Sequence, residues 1–503
     1  MLAFIVRRLF VSIWVFLAAS VVIFFLAVNV RDPLSEARQL PGPAQETAVA
    51  EITERMRLDD PVFLRYFRWL ADAVTGDLGV NRQGQDVNAM LEGAFTATLQ
   101  LVTGATALAI VVGITIGVIS ALRQYTALDQ TVTFVAFICF SLPVFWIGTL
   151  LKQFLALDFN DWLAEPTISP LFIGGISLIT GMACASLILG DRRTRLIAFA
   201  LSAAAMACLL AVLSATEWFA DPGLGPVVVA LTALGGALGF ATLVSGLEWQ
   251  RPLQAALMAA GAGVIAMFAL DPVLDDPSLI TLGGLAVLTA AVCFGIGWAW
   301  GGELYREAAI PAAIFTGLFT GAVIFTDRML MNFDNYSESV GGRPVSTVGA
   351  ETPNYEGTFW ESGLDSIGHL ALPTLALVLL SLASYTRYTR ASMLEVMNQD
   401  FVRTARAKGL TERAVITRHV LRNGFIPITT LVAYDIGAIL GGAVVTEQVF
   451  GWSAMGRLLF TGIEQGDPMP IMAFFLVTGG AVVVFNMLAD IAYAFVDPRI
   501  RLS

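Results

Sequence analysis

Residues capable of chemistry are scarce in this chain. It holds only two lysines, Lys152 and Lys408, and two histidines, His369 and His419, in 503 residues. A phosphate-cradling P-loop needs glycine directly before its lysine, but Leu151 and Ala407 stand there. ATP is therefore not expected to be hydrolysed on this polypeptide. The histidines are far apart, and no His-x-x-x-His pair or Cys–His cluster could hold a catalytic metal. Cys139, Cys184, Cys208 and Cys293 fall inside apolar runs and read as small packing residues. No catalytic residue, metal site or bound cofactor is expected. What remains are ionisable groups in or beside apolar runs, which are costly in lipid and tend to face a protein interior. These are Asp435, Asp490 and Glu447. With Pro143 and Pro373 as helix bends and Gly441-Gly442 as a hinge or close-packing point, they are the candidates for a pathway or gate. A structural role stands beside this for Asp490, one turn beyond Asn486, as a hydrogen-bonder across helices. His369 reads as an interfacial hydrogen-bonder.

The other informative feature is the segment from Glu395 to Pro427, which is basic, amphipathic and wedged between apolar runs. Thr411 can cap a new helix after a break at Gly409, so the segment reads helix, glycine stop, helix. Ala405 and Gly409 lie four apart on one side and would let another surface approach closely. Flanked by Arg403, Arg406 and Lys408, that face looks like a docking knob. The plainer reading is a solvated positive loop that only fixes topology.

The elements that must carry these residues are membrane spans. The chain is 56% hydrophobic and 14% charged, against about 25% charged in soluble proteins. Its net charge of −11, with no basic patch beyond that segment, disfavours nucleic-acid binding. Runs of about 20 apolar residues predict twelve spans, near 9–28, 97–121, 130–156, 171–189, 195–214, 226–246, 253–270, 279–300, 308–325, 367–386, 425–446 and 471–495. The first reads as a retained anchor in preference to a cleaved signal peptide. Residues 30–96 should form a small external domain, and 327–365 an irregular external loop. Placing both termini in the cytoplasm puts most of the 29 basic residues inside. An internal repeat spans the middle third: Asp221-Pro222 recurs as Asp276-Pro277, Leu224 as Leu279, Glu248 as Glu303 and Arg251 as Arg306. Each copy reads as a helical hairpin.

The run Arg403-Thr404-Ala405-Arg406-Ala407-Lys408-Gly409-Leu410 resembles the coupling loop of permease subunits of dipeptide and oligopeptide ABC importers, the peptide/nickel/opine branch. Arg403 and Thr404 stand where the general permease signature has Glu-Ala, and Arg422 replaces its later proline; both are usual for the peptide branch. Leu58-Asp59-Asp60-Pro61, Gly76-Asp77-Leu78-Gly79, Ser141-Leu142-Pro143, Glu447-x-x-Phe450-Gly451-Trp452 and Asp497-Pro498-Arg499 extend the likeness. Val30-Arg31-Asp32-Pro33 and Ser453-Ala454 depart from it locally. The resemblance covers 1–157 and 366–503 and implies an all-α polytopic membrane protein with the type I ABC importer transmembrane fold. Six family helices would be joined by about six inserted ones at 158–326. It further implies a bacterial inner-membrane permease for peptides or related solutes. The partners would be a second homologous permease, two cytoplasmic ABC ATPases carrying ATP and magnesium, and an external solute-binding protein. The coupling loop, 387–424, would place Arg403, Thr404, Ala405, Lys408, Gly409, Leu410 and Glu412 against an ATPase. The insertion reads as a lipid-packed appendage or a docking surface for another membrane subunit. Two rivals remain: an ion-coupled secondary transporter, with twelve spans and internal repeats of its own, and a scaffold that transports nothing.

Overall fold

A computed structural model describes residues 2–188, 190–245 and 250–496, and among them every regular element is helical. Two compact units emerge. The first comprises Met1–Leu155, Thr347–Ala350 and Leu370–Ser503, and the second Ala156–Ser346 and Glu351–His369.

The first unit begins with α1 (Leu2–Val30), followed by the short helices α2 (Pro43–Met56) and α3 (Val62–Val74). Phe24 of α1, Tyr66 and Trp69 of α3 and Met472 near the C-terminus form a buried aromatic cluster. The Ser20 and Tyr66 hydroxyls meet at 2.8 Å inside it. Then comes α4 (Val87–Leu122), which starts ten residues before the expected span, because Asp86 caps it by accepting from Asn88 N at 2.9 Å. Next, α5 (Ala127–Ser141) and α6 (Val144–Lys152) are bent by 102°. Leu142 and Pro143 are extended there, and a proline cannot donate the bond that would continue the helix.

The second unit carries α7 (Asp158–Leu163), α8 (Pro170–Leu187), α9 (Arg192–Ala215), α10 (Gly225–Val244), α11 (Gln250–Ala269) and α12 (Asp271–Leu274). A 53-residue helical run, α13 (Leu279–Met331), contains one non-helical residue, Gly302, with φ 60° and ψ −173°. A Cβ on Gly297 would lie 2.5 Å from the Ile310 Cα, and one on Gly317 2.2 Å from the Cys293 sulfur. The run therefore doubles back at Gly302 as two antiparallel legs, matching the two separate spans expected there. Ala233, Ala237 and Ala241 of α10 pack on Ala256 and Ala260 of α11, the small-residue contact that holds helices together where lipid supplies no hydrophobic drive. The repeat thus appears as two hairpins, with Glu248 outside the described residues.

The irregular loop expected at 327–365 is shorter, with 340–358 lacking regular structure and helix at either end. Helix α13 runs on to Met331, α14 (Phe333–Ser339) follows, and α15 begins at Phe359. Buried polar side chains fix this order. Asp327 accepts from the Leu224 and Gly225 backbone amides at 2.9 Å each, and Asp365 accepts from Tyr336 Oη at 3.2 Å and from Thr352 N at 3.0 Å. His369 Nδ1 lies 2.9 Å from the Asp365 carbonyl oxygen.

Helix α15 (Phe359–Met397) carries the chain back to the first unit, which ends with α16 (Asp400–Ala407), α17 (Glu412–Ala414), a π-helical turn Val415–Val420, α18 (Leu421–Gly442), α19 (Val444–Phe450), α20 (Met455–Gln465) and α21 (Pro468–Val496). Nine described helices are long and apolar enough to cross a membrane, or ten with the bent α5–α6 pair. Helix α13 is counted once there, although it has two legs. The eleventh expected span corresponds to the 22-residue α18. The key contact of this unit is α4 on α15. Ala105, Ala109, Gly113, Gly117 and Ala121 recur every fourth residue on α4. A Cβ on Gly117 would lie 2.6 Å from the Thr389 Cβ and 2.8 Å from the Thr386 carbonyl oxygen. Only a glycine stripe permits that approach.

Candidate coupling surface

Helix α16 has one apolar side and one charged side. Asp400 occupies its first turn and Arg406 its last, each complementing the helix dipole. It ends in a two-bond glycine cap: Gly409 N donates to the Arg406 carbonyl at 2.9 Å and Leu410 N to the Ala405 carbonyl at 3.4 Å. Gly409 takes φ +75°, a conformation costly for other residues. Thr411 then caps α17 by accepting from Ala414 N at 3.4 Å.

The inner side consists of Val402 and Ala405, which pack with Ala121 of α4, Met393 of α15, and Val415 and Val420 of the π turn. Complete burial of Val402 stabilises the docked helix by about 1.5–3 kcal/mol. This corrects the expected bare face. Ala405 is 5% exposed and is small because α16 sits tightly on its own protein. The outward surface instead displays Arg403, Thr404, Arg406, Lys408, Gly409 and Glu412, with Phe401 and Leu410 each 43% exposed. A Cβ on Gly409 would meet nothing within 4 Å. Arg406 holds Glu412 through two contacts, at 2.7 and 3.2 Å, and keeps its carboxyl below the usual range. Arg403 and Asp400, 3.5 Å apart and highly exposed, contribute little.

Behind α16 lies a second, buried connection. Arg390 of α15 grips Asp129 with Nε at 2.7 Å and Nη2 at 2.8 Å, a bidentate pair that fixes orientation as well as distance. Asp129 also accepts from Ser120 Oγ at 2.5 Å and from Tyr125 N at 3.0 Å. The turn between α4 and α5 is thereby tied to the helix on which α16 rests. Sequence reasoning missed Asp129, Arg390 and Phe401; only the four-residue glycine and alanine spacing on α4 hinted at this junction.

The pathway candidates whose surroundings are described do not form one cluster. Pro143 sits at the sharp bend, whereas Pro373 lies inside the continuous α15. Glu447 is 1% exposed, and both its oxygens are occupied, Oε1 by Thr98 Oγ1 at 2.9 Å and Oε2 by Gly456 N at 2.5 Å. Thr98 Oγ1 accepts in turn from Met455 N at 3.0 Å. Glu447 thus anchors the start of α20 to α4 and does not present a charge to a cavity. Asp435 of α18 is half-buried and interacts with Tyr385 of α15. Gly441 and Gly442 end α18 and Asp490 lies in α21; the side-chain surroundings of all three, and Asp497-Pro498-Arg499, fall outside the described residues. Lys152 donates from Nζ to the Val449 carbonyl at 2.5 Å, which accounts for a lysine at the end of an apolar helix.

Comparison with known proteins places this architecture. Residues 113–502 match the family described as the binding-protein-dependent transport system inner membrane component, and residues 1–102 match its N-terminal domain. The oligopeptide transport system permease protein of Mycobacterium bovis is 35% identical over 228 residues, 45% of this chain and 69% of that protein. An oligopeptide transport system permease of Bacillus subtilis is 24% identical with both chains fully covered. The dipeptide transport system permease of Escherichia coli is 40% identical over 138 residues, 27% of this chain and 41% of the relative. With its many apolar helices, this is a multi-pass inner-membrane protein, and it belongs to the family of binding-protein-dependent transport system inner membrane components.

Proposed function

We propose that this chain is a permease subunit of an ATP-driven importer of dipeptides, oligopeptides or related small solutes. It would form the translocation pathway with a second, homologous permease. Two separate ATPases on the cytoplasmic side would act on α16, and an external binding protein would supply the solute. The peptide assignment is supported by relatives named as oligopeptide and dipeptide permeases. The observation that carries the coupling role is the two-sidedness of α16. Its inner side is locked onto α4 and α15 by Val402 and Ala405, while its outer side offers cations and two exposed apolar residues. A short capped helix held in this way passes displacement to the helices beneath it, biasing a two-state equilibrium between inward and outward access.

Residues 158–326 are read as an insertion into the family fold. The aligned 228 residues make up a much larger share of the Mycobacterium bovis relative than of this chain, so this chain is longer by about half.

The test compares Gly409→Asn, which tolerates the left-handed backbone, with Gly409→Trp, which adds bulk to the outer surface. Asn should retain most ATP-dependent uptake, and Trp should insert normally yet hydrolyse ATP without uptake. Uptake unaffected by Trp would refute the role of α16.

A further inference from the structure

The first unit contains a pocket of ≈ 220 Å³ with no residue of α16 in its wall, lined by α2, α3, residues 77–80 and Met469 at the start of α21. Four arginines line it, Arg55, Arg57, Arg65 and Arg68, against two carboxylates, Asp72 and Asp77. Three of these six charges are already engaged. Arg55 pairs with Glu51 and donates to the Arg82 carbonyl, Arg68 pairs with Asp60, and Asp77 accepts from Gly79 N. The Arg57 and Arg65 side chains are left without a hydrogen bond or ion pair to any described residue.

Arg65 is the unusual member. It is only 7% exposed, yet its guanidinium makes no hydrogen bond or ion pair to a described residue. Burial weighs against its charge, and Asp60 and Asp467 offset this only through space. A buried cation without a hydrogen-bonded partner is strongly disfavoured unless something completes it. Beside it, Trp69 also lines the pocket, and its indole Nε1, a donor only, has no partner. That indole nitrogen is closed off from the pocket, so the guanidinium of Arg65 is the donor a ligand could reach. The rest of the wall is apolar, with Met56, Leu78, Val80 and Met469.

We propose that this pocket is a carboxylate-recognition site, in which Arg65 holds the anionic group and the apolar wall takes the alkyl stem that bears it. A planar guanidinium matches a carboxylate in a two-point fork. The apolar wall favours a carboxylate on a carbon chain over a bare inorganic oxyanion. The volume admits one side chain or chain terminus, not a whole peptide. Exposed Arg57 at the rim draws the anion in, and its contribution is screened by salt.

The probe is N-acetylglutamate, titrated into the purified full-length chain in nanodiscs and read by ligand-observed NMR. Its neutral counterpart N-acetylglutamine amide, in which both carboxylates are replaced by amides, and inorganic phosphate serve as comparisons. Saturable binding of N-acetylglutamate is expected, with no binding of the amide and weaker binding of phosphate. Arg65→Gln should weaken binding by about tenfold or more, the loss of one charge-assisted hydrogen bond. Should Arg65→Gln disturb folding, Arg57→Gln on the surface keeps the test alive: it should weaken binding a few-fold at low salt and hardly at high salt. Equal binding of glutamate and amide, phosphate binding as tightly, or indifference to both substitutions would each overturn the proposal.

Discussion

At the scale of single residues, the buried polar groups organise this protein more than they expose chemistry. Glu447 is the clearest case. An acidic residue near the end of an apolar run is read from sequence as a gate candidate, but here it satisfies the Thr98 hydroxyl and the Gly456 amide. Glu447→Ala should leave both without an acceptor, at a cost of about 1–3 kcal/mol for each buried group. Thermal unfolding of the purified chain should show a clear drop, whereas Glu464→Ala, at an exposed position, should leave the midpoint unchanged. Equal midpoints would contradict the anchoring role. The sequence could flag Glu447 as costly but not name its partners, because Thr98 lies 349 positions away. Ala405 was misplaced for a related reason. Its spacing from Gly409 is a local fact, while the side of α16 that faces inward is decided by Met393 and Ala121, on other helices.

At the scale of elements, a close helix contact lies behind the candidate coupling surface. Gly113 and Gly117 let α15 reach the backbone of α4, and the Asp129–Arg390 pair fastens the same two regions. Gly117→Leu must push the helices apart and should lower stability by about 1–3 kcal/mol, with loss of ATP-coupled uptake. Gly104→Leu on the same helix, where a Cβ meets open space, should be harmless. A Gly117→Leu protein as stable and active as wild type would show that α4 and α15 need no such proximity. Most helices were legible in the sequence because apolar runs of spanning length need no tertiary information. Helix ends were less so. Helix α4 starts early because Asp86 caps it, and helix intrudes on both ends of 327–365, where Asp327 and Asp365 fix the chain through backbone amides.

For the whole molecule, the claim is a family permease carrying extra hairpins. The first leg of α13 runs from Leu279 to the turn at Gly302, so positions 275 and 306 lie at its opposite ends. In a background without the four native cysteines, Asp275→Cys should react with an impermeant thiol reagent from outside, and Arg306→Cys should react only after permeabilisation. Reversed labelling would invert the orientation assigned to the second unit. The family itself was legible because its signature lies in eight consecutive residues, 403–410. The second unit carries no comparable motif, since lipid-facing apolar residues are interchangeable among helices.

The most direct measurement is peptide accumulation in proteoliposomes that contain this chain with its companion permease, ATPases and binding protein. Accumulation should require ATP and persist when ionophores collapse every ion gradient. Uptake that continues without nucleotide and disappears with the gradient would contradict the account and favour an ion-coupled carrier.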